Sequence, residues 1–165
     1  MGMMDKVDKT DLKIMRILCG NSKTTLGNIG KKIGIFSPSA VSKRIKGLEK
    51  SEIIRKNTVE INFNKIGLDF LTITFVKAKY SENYHNIVAE KLMSIKGIIS
   101  IYFLLGDIDF VLITLNKSKE EYEYILEQLT KIEGVERTDT RTVLRVFKEG
   151  DYDSVLEKYI SSQQA

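Results

Sequence analysis

The sequence has very little cysteine and histidine, which limits the chemistry that it can support. One cysteine, Cys19, and one histidine, His85, occur among 165 residues. A lone cysteine cannot form an internal disulfide, so we expect a reducing, cytoplasmic setting. His85 lacks a second histidine or cysteine at ligand spacing, so no metal site is predicted. Because a phosphate-binding glycine loop and an acid–base constellation are also missing, we expect neither an enzyme nor a cofactor.

Long apolar runs and an N-terminal signal-like segment are missing as well. The longest apolar stretch, 98–105, is interrupted by Ser100, whereas a membrane-spanning helix takes about 20 apolar residues. Hydrophobic residues make up 42% of the chain, which is typical of a folded globular protein. We therefore expect a soluble, folded protein without a membrane partner.

Positive charge is concentrated in the first part of the chain. Residues 1–67 contain 14 lysines and arginines against 6 acidic residues, a net charge of +8, whereas the remaining 98 residues carry −4. This asymmetry favours a polyanionic partner for the first part. A lysine-rich solvated surface would give the same count. The charge distribution alone does not distinguish these two interpretations.

Two helices are predicted in this basic part. The first follows Asp8, ends near Gly20 and has an apolar stripe at helical spacing, made of Leu12, Ile14, Met15, Ile17 and Leu18. The second ends before Gly34 and has Leu26, Ile29 and Ile33 on one face. Gly27 and Gly30 each lower its helix propensity by about 1 kcal/mol relative to alanine. We expect a close approach to a neighbouring helix at these two glycines.

A third helix is predicted after a turn of four residues, 34–37. Ser37 is the expected N-cap, and Pro38 follows at the first helical position, where a missing N–H is harmless. The apolar residues Val41, Ile45 and Leu48 form its buried stripe. A short helix, a turn and a capped, basic helix together match helix-turn-helix geometry.

A β-hairpin wing is predicted after the third helix. The segments 53–56 and 59–63 read as two short strands around Asn57 and Thr58. With the three helices, they predict a winged helix-turn-helix domain over residues 1–62. The segment 63–69 is expected to be a hinge.

DNA contacts are predicted on the third helix and the wing. Lysines and arginines neutralise phosphates, and small polar groups near the start of a recognition helix reach base edges. The candidate residues are Ser39, Ser42, Lys43, Arg44, Lys46, Lys50, Arg55 and Lys56. An ordinary solvated helix face is the alternative for this surface, and Arg44 could instead pair internally with Glu49 or Asp11.

The rest of the chain predicts a second, α+β domain over residues 70–147. Strands are expected at 71–80, 98–105, 110–115 and 135–146, and helices at 84–95 and after a capping box of Ser118 and Glu121. The order β-α-β-β-α-β is ferredoxin-like, with both helices on one face of an antiparallel sheet. The tail, 148–165, reads as polar, with a short helix as one interpretation and 161–165 frayed.

The other face of this sheet is expected to need cover. We place Phe75, Tyr102 and Leu112 on it, and a second subunit would bury them. The sequence therefore predicts a homodimer.

The order of elements and several local strings resemble the Lrp/AsnC family of prokaryotic feast/famine transcription regulators. The strings that carry the resemblance lie at 7–15, 37–49, 64–67, 106–109 and 134–140. The chain departs from the family pattern at Lys23, Phe36, Glu52, Leu105 and Ile108. Phe36 lengthens the turn before the third helix by one residue, and Leu105 and Ile108 change the surroundings of the glycine turn.

The resemblance implies double-stranded DNA as a partner and a homodimer, or a higher even oligomer such as a tetramer or octamer. It also implies an amino-acid effector near the glycine turn, for which the candidate residues are Gly106, Asp107, Asp109, Thr138 and Thr140. Either aspartate could pair with an α-ammonium group, and the threonines could hold a carboxylate. In the simplest alternative, 106–109 is only a hairpin turn, where glycine and aspartate are favoured anyway.

The competing function is an amino-acid-binding regulatory or assembly module that acts through protein partners without binding DNA. Its basic end would then serve solubility alone. Gel-shift binding to the promoter of its own gene discriminates between the two, because the module predicts no binding.

Overall fold

The computed structural model describes residues 7–162 and divides into two compact units. One consists of the chain up to Glu60 together with the tail from Lys148, and the other is Ile61–Phe147. Residues 1–6 of the predicted DNA-binding domain and 163–165 of the tail lie outside the described residues. The tail thus belongs to the same unit as the N-terminal helices.

The elements of both units follow one another in a simple order. They are α1 (Lys9–Gly20), α2 (Leu26–Ile33), α3 (Pro38–Lys50), β1 (Phe70–Ala78), α4 (Tyr84–Met93), β2 (Ile98–Phe103), β3 (Phe110–Asn116), α5 (Lys119–Thr130), β4 (Val135–Thr142) and α6 (Tyr152–Ser162). A 3-10 turn, Phe63–Ile66, lies in the segment predicted as a hinge.

Side-chain caps set the starts of α1 and α3. Asp8 and Asp11 form a reciprocal capping box, in which the Asp11 N–H donates to Asp8 Oδ1 at 2.8 Å and the Asp8 N–H donates to Asp11 Oδ2 at 3.1 Å. At α3, Ser37 Oγ accepts from the N–H of Ala40 at 3.4 Å, and Pro38 is the first helical residue. The predicted start of the third helix is therefore confirmed.

The first unit has a small core to which three helices contribute one fully buried residue each. Ile14 of α1, Ile29 of α2 and Val41 of α3 are the residues at its centre. Partly buried side chains pack around them, namely Ile17, Leu18, Ile33, Ile35 and Ile45. Val41 and Ile45 of the stripe predicted for the third helix belong to this core, and Leu48, the third residue of the stripe, is buried as well.

The two glycines of α2 differ in their surroundings. A Cβ at Gly30 would lie 2.2 Å from the carbonyl oxygen of Ile35, so the glycine is required by the backbone of the following turn. Nothing lies within 4 Å of the equivalent position at Gly27. The expectation of a close neighbouring helix was wrong for Gly27. At Gly30 the turn is the nearest neighbour, and Val41 Cγ2 of α3 lies 3.6 Å from the same position.

The predicted β-hairpin is not formed in the described structure. Residues 53–62 contain no strand, and the side chains of Val59 and Ile61 are exposed. The backbone after α3 is fixed instead by a hydrogen bond from the Ile54 N–H to the Leu48 carbonyl, 3.0 Å long. An isolated two-stranded hairpin is marginal in water, and a pattern of alternating apolar residues without a layer to cover is not enough to form one.

The tail forms a helix that packs on α1. Arg16 of α1 pairs with Asp153 at 2.8 Å and with Glu157 at 3.1 Å. Ser161 and Ser162, which were expected to be frayed, belong to this helix, and 163–165 lie outside the described residues.

The second unit is a four-stranded antiparallel sheet in the order β2-β3-β1-β4. The helices α4 and α5 cover one face, and their buried residues Val88, Leu92, Ile125 and Leu129 pack against the sheet core. The order β-α-β-β-α-β and the shared helix face confirm the predicted ferredoxin-like class.

Burial alternates along β1 and β3 and defines the two faces of the sheet. The fully buried Leu112 lies on the helix-covered face with Phe110 and Val76, so its assignment to the open face was wrong. Phe75 and Tyr102 both pair with Val111, on the open face, as predicted. One residue of register changes the face of every side chain in a strand, and the nearly continuous apolar run of β3 hides its parity.

The ends of several elements also differ from the prediction, since β1 ends at Ala78 rather than at position 80, α4 at Met93 rather than at 95, and β2 at Phe103 rather than at 105. Strand β4 ends at Thr142 rather than at position 146, and Leu144 beyond it is fully exposed. Ser118 is the N-cap of α5 but makes no side-chain cap hydrogen bond. Glu121 accepts from the Lys117 N–H at 2.8 Å instead, so the predicted reciprocal capping box is absent there.

Candidate nucleic-acid interface and ligand site

One face of α3 carries a stripe of hydroxyl and ammonium groups. Ser39, Lys43, Lys46 and Lys50 recur at i, i+4, i+7 and i+11, which places them within about 60° of one another around the helix axis. All four are exposed, whereas Val41 and Leu48 on the opposite side are buried. The half-buried Ser42 borders this polar stripe. The stripe is thus held outward by the core contacts of the opposite face.

The first turn of α3 holds its hydroxyl groups in a defined arrangement. Ser37 Oγ and Ser39 Oγ are hydrogen-bonded at 2.8 Å, while Ser37 also caps the helix. Both residues are exposed. Two hydroxyl groups are therefore presented together where the helix begins.

Arg44 does not belong to the polar stripe. Its Nη1 donates to Asp8 Oδ2 at 2.7 Å and to Asp11 Oδ1 at 2.8 Å, and these bonds, the one to Asp11 first, raise the pKa of the guanidinium. The same contact lowers the pKa of Asp8, where burial acts in the opposite direction but is outweighed by the Asp11 N–H and Arg44. The structure thus shows the internal pairing with Asp11 that the sequence left open as the alternative to a DNA contact of Arg44.

The other two predicted basic residues, Arg55 and Lys56, lie in the segment after α3. Both are exposed, and the segment has no regular secondary structure. They are therefore displayed on an irregular segment of the chain and not on the ladder of a hairpin.

The predicted ligand site is a turn between β2 and β3. The Leu104 N–H donates to the Asp109 carbonyl at 2.8 Å and closes the turn. Gly106 has φ 142°, a conformation that favours glycine, and Asp107 is exposed beside it. The exposed part of the candidate site therefore consists of the turn itself.

Asp109 is buried under this turn and has protein partners on both carboxylate oxygens. Oδ2 accepts from the Ala78 N–H at 2.8 Å and Oδ1 from the Tyr84 hydroxyl at 2.9 Å, with Lys77 Nζ 3.4 Å away. Burial alone would raise the pKa of Asp109, but these three donors together lower it below its usual value. Asp109 therefore connects the turn to β1 and α4.

The two threonines of the predicted site lie on β4. Thr140 Oγ1 is hydrogen-bonded to the Tyr122 hydroxyl and, at 3.2 Å, to Thr74 Oγ1, so its hydroxyl belongs to the polar network beneath α5. Thr138 is half-buried and pairs with Val76, whose carbonyl accepts from the Asp109 N–H at 3.0 Å. The structure brings Thr138 and Asp109 to the same end of the sheet and leaves Thr140 further along the strand.

Aromatic residues around Asp109 were not anticipated. Tyr84 binds its carboxylate, His85 stacks on Phe103 with ring centroids 5.3 Å apart, and Phe103 packs on Phe110 at the same distance. These residues come from α4, β2 and β3. No local signal in the sequence reveals that Tyr84 has a partner 25 residues away.

The first unit and the second unit together define a class of protein, a DNA-binding regulator with a separate sensing or assembly domain. The winged helix-turn-helix DNA-binding family model matches residues 7–55, and the model described as the Lrp/AsnC ligand binding domain matches residues 72–153.

Relatives extend this match over most of the chain. The HTH-type transcriptional regulator FL11 of Pyrococcus furiosus is 37% identical over 90% of this chain and 94% of its own length. The HTH-type transcriptional regulator LrpA of Pyrococcus horikoshii is 32% identical over 86% of this chain and 99% of its own length. The chain belongs to the Lrp/AsnC family of transcription regulators and is not an enzyme.

Solved structures share the fold. A transcriptional regulator from Neisseria meningitidis in complex with L-methionine has a TM-score of 0.81 at 22% identity, over 88% of this chain and 95% of that chain. AsnC of E. coli has a TM-score of 0.80 at 21% identity, over 90% of this chain and 99% of that chain. Among the described helices of our chain, none is long and apolar enough to cross a membrane.

Proposed function

We propose that this regulator reads an operator with the start of α3, assembles as an even-numbered oligomer and responds to an amino acid or a related metabolite. The observation that carries the first part is the polar stripe of α3, Ser39, Lys43, Lys46 and Lys50, opposite a buried apolar face. A recognition helix in the major groove needs this division between core and solvent.

The stripe supports a division of labour along the helix. Ser39, Ser42 and Lys43 lie in the first turns, from which a recognition helix reaches base edges. Lys46 and Lys50 lie further along, and Arg55 and Lys56 follow on the exposed segment. We assign these four to phosphates, which fix the register of the protein on the duplex.

The open face of the sheet supports assembly. Its central strands present six apolar side chains that are only partly buried, Leu71, Ile73, Phe75, Val111, Ile113 and Leu115. A second copy of the same face would cover them and form a two-fold dimer, or a pair of dimers and larger even assemblies. The operator is then a pseudo-palindrome with half-sites a whole number of helical turns, each about 10 bp, apart.

The turn between β2 and β3 supports an effector site. Asp107 is the exposed carboxylate there and suits an α-ammonium group, while Thr138 at the same end of the sheet offers a hydroxyl for a carboxylate. Because both carboxylate oxygens of Asp109 are hydrogen-bonded within the protein, we assign Asp109 to holding the turn in place. L-methionine is the ligand of the Neisseria meningitidis relative and suggests the chemical class.

The test of DNA reading compares three lysine variants on operators selected from random DNA. Lys43→Ala should change which sequences are preferred, by about 1 to 3 kcal/mol for each base that the lysine side chain reads. Lys56→Ala should weaken all sequences alike and reduce the slope of log Kd against log salt by about 1. Lys131→Ala, an exposed lysine after α5, removes the same charge from the other unit and should change neither.

Two results would contradict this proposal. A wild-type protein that binds every sequence equally, or no DNA at all, removes sequence-specific reading. If Lys43→Ala and Lys56→Ala have the same effect on specificity and on salt slope, the assignment of bases and phosphates is wrong.

A further inference from the structure

Phe36 is an exposed aromatic residue at the tip of the helix-turn-helix. It lies in the turn between α2 and α3, directly before the N-cap Ser37, and is 89% exposed. Burying a phenylalanine side chain stabilises a protein by about 1.5 to 3 kcal/mol relative to exposing it. Because Phe36 is exposed, the first unit does not gain this stabilisation.

An apolar residue directly before an N-cap usually packs on its own helix, and here Ile35 provides that packing in place of Phe36. A residue before the N-cap commonly packs on the fourth helical residue, here Val41. Val41 is already fully buried with Ile14 and Ile29, and Ile35 packs against this core while its N–H donates to the Gly30 carbonyl at 2.9 Å. The ring of Phe36 takes no part in this packing. We therefore expect it to contact a partner molecule.

The position of Phe36 determines what that contact can be, if α3 reads DNA as proposed above. The ring precedes the first two turns of α3, which carry Ser39 and Ser42, so in a complex with DNA it lies at the groove with them. A neutral ring gains nothing from phosphates. The apolar group that the major groove displays is the 5-methyl group of thymine, which phenylalanine is known to contact.

We propose that Phe36 is a specificity-determining residue that packs against a thymine methyl group in each half-site. Ser39, Ser42 and Lys43 read hydrogen-bonding edges of the bases, and Phe36 adds an apolar contact beside them. The inference rests on DNA binding by α3 but goes beyond it, because the stripe alone predicts no preference for a methyl group.

The experiment removes single methyl groups from the DNA. Each thymine of an operator selected by the wild-type protein is replaced in turn by deoxyuridine, and Kd is measured by fluorescence anisotropy for full-length wild type, Phe36→Ala and Tyr159→Ala. Tyr159 is an exposed aromatic residue on α6 of the same unit and serves as the matched control. Far-UV circular dichroism and thermal unfolding establish that the variants are folded.

We expect one thymine per half-site at which deoxyuridine weakens wild-type binding about fourfold, the effect of one buried methyl-sized group. Phe36→Ala should lose at least as much affinity for the thymine operator and be insensitive to deoxyuridine at that position. Tyr159→Ala should keep the wild-type profile.

Other outcomes overturn the inference in distinguishable ways. If wild type and Phe36→Ala have the same deoxyuridine profile, or if wild type is insensitive at every thymine, Phe36 does not read a methyl group although α3 binds DNA. If Phe36→Ala changes the sedimentation coefficient without changing the profile, the ring contacts a second copy of the chain. Failure of the wild type to bind any DNA is the separate failure of the proposed function.

Discussion

Nη1 of Arg44 lies 2.8 Å from Asp11 Oδ1 and 2.7 Å from Asp8 Oδ2, so one guanidinium joins α3 to the capped start of α1. The two aspartates already form the capping box of α1, and the arginine therefore fixes α3 against a rigid helix end. Because Arg44 and Asp8 are both partly exposed, solvent screens part of this attraction.

From this pairing we expect Arg44→Ala to act on stability and not on phosphate contacts. The variant should lose about 1 kcal/mol of unfolding free energy in urea, the order expected of a partly exposed ion pair with hydrogen bonds. The salt dependence of its DNA binding should match wild type, whereas Lys46→Ala should flatten it. A slope lowered equally in both variants would restore Arg44 to the DNA-binding surface.

The two glycines of α2 give a matched pair of stability predictions. Gly27→Ala should stabilise the protein by up to about 1 kcal/mol, because alanine favours the helix and meets nothing within 4 Å. Gly30→Ala should destabilise it by about 1 to 3 kcal/mol, because the new Cβ lies 2.2 Å from the Ile35 carbonyl oxygen. Urea unfolding of both variants measures the difference, and stabilisation of both would exclude the close turn.

Local chemistry explains which parts of the fold could be predicted from sequence. The capping residue Ser37, the apolar stripes of α1 to α3 and the strand-helix order of the second unit depend on neighbours within a few positions. Leu112 was placed on the wrong face because a nearly continuous apolar strand has no visible parity. The prediction of a β-hairpin wing was wrong because its alternating apolar residues have no layer to pack against.

The candidate site was predictable to the same extent. The lysines of the polar stripe follow from helical spacing alone, but the partners of Arg44 and Asp109 come from other elements. The sequence offered Asp11 as one of two partners for Arg44 and contained no indication of Tyr84 beside Asp109. The sequence Gly-Asp-Ile-Asp does not by itself distinguish the buried carboxylate of Asp109 from the exposed one of Asp107.

Asp109 gives a prediction of pH dependence. Its pKa in the folded state is lowered, so its contribution to stability is present above the unfolded value of about 3.9 and is lost as pH falls through the folded value. Asp109→Asn should therefore be less stable than wild type at pH 7 by about 1 to 3 kcal/mol. The difference should shrink below about pH 4.

Urea unfolding of wild type and Asp109→Asn between pH 2.5 and 7 checks this dependence. Asp107→Asn, in the exposed part of the same turn, serves as the control and should stay within about 0.5 kcal/mol of wild type. A stability difference for Asp109→Asn that is constant down to the lowest pH would show that its charge does not carry the effect.

The open face of the sheet predicts the result of a charge placed on it. Ile113 pairs directly with Ile73 at the centre of this face, so Ile113→Glu should dissociate the proposed dimer by burying an unpaired carboxylate. Sedimentation of the full chain at micromolar concentration measures the change. Met93→Glu, on the exposed side of α4, should leave the assembly intact. Monomeric wild type, or a dimeric Ile113→Glu, contradicts the interface.

The turn between β2 and β3 predicts which aspartate an effector needs. A calorimetric screen of the twenty amino acids should find a ligand whose binding is abolished in Asp107→Ala and weakened in Thr138→Val, because Asp107 presents an exposed carboxylate and Thr138 a half-buried hydroxyl at this end of the sheet. Glu127→Ala, on the exposed side of α5, is the control for charge and should bind as wild type does. The same ligand should change operator affinity by roughly 5- to 150-fold, which corresponds to a coupling of about 1 to 3 kcal/mol.

Since a ligand shifts an equilibrium only by its differential affinity for two states, equal gel shifts with and without it would separate binding from regulation. A ligand that binds Asp107→Ala as tightly as wild type places the effector elsewhere, and no binding at millimolar concentration leaves a regulator without an amino-acid effector.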